Sequence, residues 1–148
     1  MPESICRLVP ADIESEITKE QADSALEFLK AEAGTDDVIY VIAETPMFVE
    51  CGDMLHYIGC PHCHKKLSSM WWAEQMSRCA ETNFQERGIV FPCCNTTGKL
   101  EDIEYQEPCA LARIIFEIRE PQMPIDSEII NTLQFVLGCK LRVIQARY

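Results

Sequence analysis

Apolar residues recur at helical spacing near the start of the chain and at strand spacing near its end. Thr18 and Gln21 have the spacing of a capping box, in which the side chain of each residue accepts a hydrogen bond from the backbone N–H of the other at a helix start. Gly34 supplies a stop signal. Between these signals one helical face is apolar, formed by Ala22, Ala25, Leu26, Leu29 and Ala33. The pattern predicts an amphipathic helix over residues 19–33.

The first half of the chain also contains strand-like segments. Residues 38–43, VIYVIA, are apolar on both faces and predict a buried, central strand. The Thr45-Pro46 pair is expected to end it, and residues 47–58 predict a hairpin around Gly52-Asp53. Residues 1–17 are only weakly periodic, so they are expected to form an arm or a short helix.

The last forty residues predict a strand, a helix and a strand. Residues 112–118 alternate so that one face is wholly apolar. Asp126 is a good helix N-cap, Gly138 a helix stop, and residues 140–148 a final strand. Such an order with short loops favours a right-handed βαβ unit with parallel strands over residues 111–148.

Charge is unevenly distributed along the chain. The net charge is −11, and residues 1–58 hold thirteen acidic and three basic side chains, a balance of −10. This surface repels phosphate backbones and disfavours nucleic acid, whereas it would attract a basic protein partner. No apolar run is long enough to span a bilayer, and no signal peptide is visible, so a cytoplasmic protein without membrane association is expected.

The cysteines carry the strongest chemical signal. Nine is an odd count, and a reducing compartment disfavours a disulfide framework. Cys60 and Cys63 have the spacing of a zinc-binding turn that Pro61 stiffens, and Cys93-Cys94 lies thirty residues later. We predict that these four thiols bind one structural Zn²⁺, with residues 67–84 forming a helix between the two pairs.

The identity of the fourth ligand stays open at this point. Adjacent cysteines direct their side chains differently, so Cys94 is a less secure choice than the other three. His62, His64 or Cys79 would be the substitute ligand.

The sequence Cys60-Pro61-His62-Cys63 also resembles the active site of thioredoxin-like disulfide oxidases over about ten residues. By that resemblance Cys60 would be the attacking nucleophile and Cys63 the resolving thiol. That family places the first cysteine at a helix start, which lowers its pKa. A thiol–disulfide oxidoreductase is therefore the alternative function.

The order of motifs also resembles a group of small, uncharacterised bacterial proteins. The resemblance rests on Cys60–Cys63, Pro92-Cys93-Cys94, the segment LEDIEY at 100–105, and the unit 111–148. It covers about residues 55–148 and implies a zinc-ribbon-like element on an α+β domain.

Together these observations predict a single α+β domain over residues 1–148. A cysteine-rich, zinc-ribbon-like insertion is expected at 55–98, and a βαβ unit at the C-terminal end. We expect a zinc-stabilised, cytoplasmic bacterial protein that binds another protein through its acidic surface, as an adaptor or a toxin-neutralising protein does. The sequence contains no recognisable catalytic set, so a binding protein is expected rather than an enzyme.

Overall fold

The computed structural model of the protein describes residues 4–49, 58–105 and 109–147. Helices and strands are mixed along these ranges, which confirms the α+β class. The elements in chain order are β1 (Ser4–Pro10), α1 (Lys19–Ala33), β2 (Val38–Val49), β3 (Ile58–Gly59), α2 (Ser69–Ala80), β4 (Gly88–Val90), β5 (Thr97–Lys99), a 3₁₀ helix (Leu100–Asp102), β6 (Glu104–Tyr105), β7 (Ala110–Arg119), α3 (Ser127–Leu137) and β8 (Leu141–Arg147).

Four strands form the main sheet in the order β2-β7-β1-β8, and every neighbouring pair is antiparallel. Leaving the segment between β2 and β7 aside, the chain order is β-α-β-β-α-β. This order and strand arrangement are those of the split β-α-β, or ferredoxin-like, topology. Both helices pack on one face of the sheet, where they share a core with β1, β2 and β7.

The C-terminal strand, helix and strand are present, but β7 and β8 are not neighbours. Both are antiparallel to β1, which lies between them, so they run in the same direction without pairing. The predicted βαβ unit with parallel strands did not include an intervening strand, because nothing in residues 1–17 indicated one.

β1 corrects the expectation of an arm or a short helix at residues 1–17. Ser4–Pro10 is an inner strand, paired with β7 on one side and β8 on the other. Its side chains are buried on both faces: Cys6 and Leu8 face the helices, and Val9 belongs to a separate cluster with Ile144. A short strand buried on both faces lacks alternation, which is why its periodicity is weak.

β2 corrects a second expectation. Residues 38–43 were predicted to be a central strand, but β2 lies at the edge of the sheet. Thr45-Pro46 does not end it: the ladder with β7 shifts register between Ile42 and Met47 and then continues to Val49. The rest of the predicted hairpin, residues 50–57, lies outside the described residues.

The two outer helices form as their end signals predict. Thr18 and Gln21 exchange both hydrogen bonds of the capping box, and Gly34 ends α1 in the left-handed conformation. Asp126 accepts a hydrogen bond from the Ile129 N–H and so caps α3, which ends at Gly138. These local bonds satisfy backbone groups that a helix end otherwise leaves open. Among the described helices, none is both long and apolar enough to cross a bilayer.

The cysteine-rich segment occupies the connection between β2 and β7. Val49 pairs with Ala110, so the sheet strands meet at the two ends of this connection. The segment has its own core, which continues to Leu111 of β7. The helix predicted at 67–84 is shorter, Ser69–Ala80, and the segment 100–105 is a 3₁₀ turn followed by two residues of strand.

Candidate metal centre

The first cysteine pair lies on a tight turn between β3 and the chain that returns beside it. The His64 N–H donates to the Cys60 carbonyl at 2.9 Å, and the Cys60 N–H donates to the Lys65 carbonyl at 3.0 Å. Gly59 and Lys66 form a bridge immediately outside the turn. His64 has a φ of 62°, the left-handed conformation that allows the chain to reverse here.

The second pair lies on a turn between β4 and β5. The Asn95 N–H donates to the Phe91 carbonyl at 2.8 Å, and the Phe91 N–H donates to the Thr96 carbonyl at 2.9 Å. Val90 and Thr97 pair immediately outside it. Asn95 has a φ of 58°, and asparagine is one of the few residues that adopt this conformation readily.

The two turns therefore have the same backbone hydrogen-bond pattern in the same six-residue frame. In this frame Cys60 corresponds to Phe91, and Cys63 corresponds to Cys94. Proline occupies the second position in both. The second turn carries its other cysteine, Cys93, at the third position, where the first turn has histidine. Adjacent cysteines thus serve one site because Phe91 replaces the cysteine that a repeated Cys-X-X-Cys would have.

The four sulfurs form one cluster. The Cys60 and Cys94 sulfurs are 3.7 Å apart, and the Cys63 and Cys93 sulfurs are 3.1 Å apart. All four lie within 4.8 Å of one another. Tetrahedral coordination with metal–sulfur bonds of about 2.3 Å would place sulfurs about 3.8 Å apart. The cluster could hold a metal ion after shifts of less than about 1 Å, a small adjustment for thiol side chains.

Backbone and side-chain groups surround the sulfurs. The His62 N–H donates to the Cys60 sulfur at 3.4 Å, and the Thr96 hydroxyl oxygen lies 3.2 Å from the Cys94 sulfur. Such contacts orient the two sulfurs within the cluster. Sequence reasoning missed Thr96, which would be identified only by aligning the two turns, where it corresponds to Lys65.

A hydrogen bond joins the Cys63 and Cys93 thiols and shifts their two pKa values in opposite directions. Their hydrogen bond lowers the pKa of Cys63, which the Lys65 N–H lowers further. The same hydrogen bond raises the pKa of Cys93 to about 12. Because a metal binds the thiolate form, loading this cluster would release the protons that its thiols carry.

Aromatic rings form the floor of the centre. Phe91 is fully buried, and its ring contacts Trp71 and His62 with centroid separations of 6.2 and 5.5 Å. On the other side of α2, Trp72 donates to the Tyr105 hydroxyl at 3.2 Å, and burial raises the pKa of that hydroxyl to about 12. Both tryptophans therefore pack in the core of the segment, each toward a different side of α2.

The alternative ligands lie elsewhere. His62 is exposed and contacts Phe91, and the His64 Nδ1 lies 3.4 Å from a Glu104 oxygen. Cys79 is buried in α2, outside the four-sulfur cluster. Among the described residues, Cys94 is thus the cysteine that completes the group with Cys60, Cys63 and Cys93.

The Cys-Pro-His-Cys turn also differs from a disulfide oxidase site. The helix that follows it begins at Ser69 with Ser68 as its N-cap, so Cys60 receives no stabilisation from a helix N-terminus. The Cys60 side chain is fully buried, whereas an attacking thiolate needs access to its substrate. The turn therefore lacks two features of that site, the helix N-terminus and the accessible sulfur.

No family model, curated protein or solved structure matches the chain. The interpretation of the cluster therefore depends on its own geometry and chemistry.

Proposed function

We propose that Cys60, Cys63, Cys93 and Cys94 bind one structural zinc ion. The observation that supports this proposal is the convergence of four sulfurs from two turns of equal geometry. Zinc is the metal that such closed four-cysteine sites commonly hold, and a site with no open position contributes folding energy rather than catalysis. The metal would join the two hairpins and so stabilise the segment between β2 and β7.

We further propose that the protein acts in the cytoplasm of a bacterium by binding a basic protein, as an adaptor or a toxin-neutralising protein does. The support for this proposal is the charge of the first half of the chain. Its exposed acids follow α1 and the chain on either side of it, a single region of the fold, and include Glu14, Glu16, Glu20, Glu27, Glu32, Asp36 and Asp37. Such a field attracts a partner of opposite charge and accelerates its association.

Metal analysis tests the first proposal. Purified protein is expected to contain one zinc per chain, and cobalt substitution should give the absorption of tetrahedral thiolate coordination. Cys60→Ser should lose the metal, whereas Cys79→Ser, a buried cysteine outside the cluster, should retain it. Protein that contains no zinc and folds equally well as Cys60→Ser would contradict the proposal.

Charge reversal tests the second proposal. Changing Glu20, Glu27 and Glu32 to lysine should abolish salt-sensitive capture of a partner from a bacterial lysate. The matched control reverses three exposed acids of the cysteine-rich segment: Glu74, Glu81 and Glu86. Capture that survives the first set as well as the second would contradict docking through the acidic region.

An insulin-reduction assay tests the competing oxidoreductase function. A structural site gives no turnover, with or without Cys60. Turnover that Cys60→Ser abolishes would instead support redox chemistry at this turn.

A further inference from the structure

The two edges of the main sheet differ in how they meet solvent. β8, at one edge, presents the exposed polar side chains Arg142 and Gln145. β2, at the other edge, has no charged residue from Val38 to Ala43. Charged side chains are the usual means by which proteins prevent an edge strand from pairing with another chain. β2 lacks this protection over six residues.

The side chains of this edge are also apolar and exposed. Ile39, Val41 and Ile42 have relative exposures of 49%, 43% and 45%. Ile39 and Val41 line an open groove of about 310 Å³ on the sheet face away from the helices, together with Met47, Ile115 and the ion pair of Arg7 with Glu117. Because β7 is the only neighbour of β2 among the described strands, alternate backbone groups of β2 point away from the sheet.

The length available to an added strand is limited. Register is lost between Ile42 and Met47, and Pro46 has no N–H to contribute to a ladder. Six residues from Val38 to Ala43 remain, about 20 Å of strand. This length suits a short extended peptide.

The charges that flank the edge indicate what such a peptide carries. The exposed acids Asp36 and Asp37 precede the uncharged run, and the exposed Glu44 follows it. A second copy of this chain paired antiparallel about Tyr40 would place Glu44 opposite Asp36, with like charges at both ends. A segment with an apolar centre and lysine or arginine at its ends fits this edge better.

We propose that residues 38–43 of β2 bind an extended segment of a basic protein, which adds a fifth strand to the sheet. The proposal rests on the proposed protein-binding function and specifies the surface and the kind of segment. Backbone hydrogen bonds would supply affinity, and the exposed apolar side chains together with the flanking acids would supply selectivity.

The test is selection from a phage-displayed library of random decapeptides against the zinc-loaded protein. Selected peptides are expected to combine alternating apolar residues with basic ends and to slow hydrogen exchange at the amides of Tyr40 and Ile42. The double variant Ile39→Lys/Val41→Lys should weaken their binding by at least about tenfold, which corresponds to about 1.4 kcal/mol. The control Phe135→Lys/Met70→Lys makes the same charge change at two other exposed apolar positions, and it should leave binding within about twofold.

Several outcomes would overturn the proposal. The first is that no peptides are enriched, and the second is that the Ile39/Val41 variant still binds the selected peptides. The third is a solution dimer that this variant dissociates, which would show that a second copy of the chain occupies the edge. The α1 variants separate this failure from failure of the proposed function. If reversing Glu20, Glu27 and Glu32 abolishes partner capture while the β2 variant retains it, protein binding stands and the edge proposal is wrong.

Discussion

The two turns that carry the four clustered cysteines share a backbone conformation and differ in where they carry cysteine. The first has cysteine at positions one and four, and the second has it at positions three and four, with Phe91 at position one. The shared hydrogen bonds and the left-handed residues His64 and Asn95 hold both turns in one shape. Turn geometry therefore brings the sulfurs together, and one ligand can be supplied from a different position while the backbone stays the same.

The largest effect expected from this comparison is at position four, where both turns carry a cysteine. Cys63→Ser and Cys94→Ser should each lose the metal and destabilise the protein by a similar amount, on the order of 3–5 kcal/mol. This is a fraction of the roughly 10–16 kcal/mol that structural zinc contributes in small domains. Metal content and denaturant unfolding measure it. Clearly unequal losses would show that the positions are not equivalent.

Moving a ligand back to position one tests the correspondence of Phe91 with Cys60. Cys93→Ser should lose zinc, and adding Phe91→Cys should restore one zinc per chain through a repeated Cys-X-X-Cys pattern. The rescued protein should still be less stable by about 2–4 kcal/mol, because Phe91 is fully buried and its ring would leave a cavity. Phe91→Ala with Cys93→Ser is the control that must not regain metal.

A smaller effect is expected at the left-handed residues. Asn95→Ala and His64→Ala should each cost about 1 kcal/mol, since asparagine and histidine adopt the left-handed conformation more readily than alanine does. Asn95→Gly should be neutral or slightly stabilising. Thermal unfolding of the zinc-loaded variants measures these changes in stability. If only one turn loses stability, the two turns share their hydrogen-bond pattern but not the contribution of the left-handed residue.

The smallest effect is expected outside both turns, at a side-chain hydrogen bond between β2 and α1. The Tyr40 hydroxyl donates to Asp23 at 2.6 Å and lowers the pKa of that carboxyl. Stability from this bond is therefore present above the ordinary aspartate pKa of about 4 and is lost as pH falls through the lowered value. Tyr40→Phe should return the pKa of Asp23 toward its ordinary value, as NMR titration would report. A pKa that Tyr40→Phe leaves unchanged would contradict this cause.

Local signals made part of the fold predictable. α1 and α3 follow from caps that lie within three residues of the bonds they make, so no distant information is needed. The strand at β7 follows from strict alternation. These elements formed close to their predicted bounds.

Long-range pairing decided the rest of the fold. Whether β2 is central or at an edge depends on which strands neighbour β7, and β1 takes the inner place by pairing with residues more than one hundred positions away. A sequence pattern indicates how deeply a strand prefers to be buried, but it does not indicate which strands lie beside it. For the same reason the sequence did not predict that β1 lies between β7 and β8, the parallel strands of the expected βαβ unit.

The sequence predicted which residues form the candidate site, but it did not predict that the two turns have equivalent backbones. The spacing of Cys60 and Cys63 and the pairing of Cys93 with Cys94 indicated the four thiols that the fold brings together. The equivalence of the two turns was not visible in the sequence, because position one is cysteine in the first turn and phenylalanine in the second. Matching proline at position two was the available clue.

The place of the cysteine-rich segment has a consequence for how the chain acquires its structure. The connection between β2 and β7 begins and ends at the paired residues Val49 and Ala110. The entropy of closing such a loop grows only slowly with its length, by about 0.6 kcal/mol per doubling, so the sheet bears little cost from it. If the four thiols bind zinc as proposed, removal of the metal should therefore loosen this segment while the four-stranded sheet and its β2 edge persist.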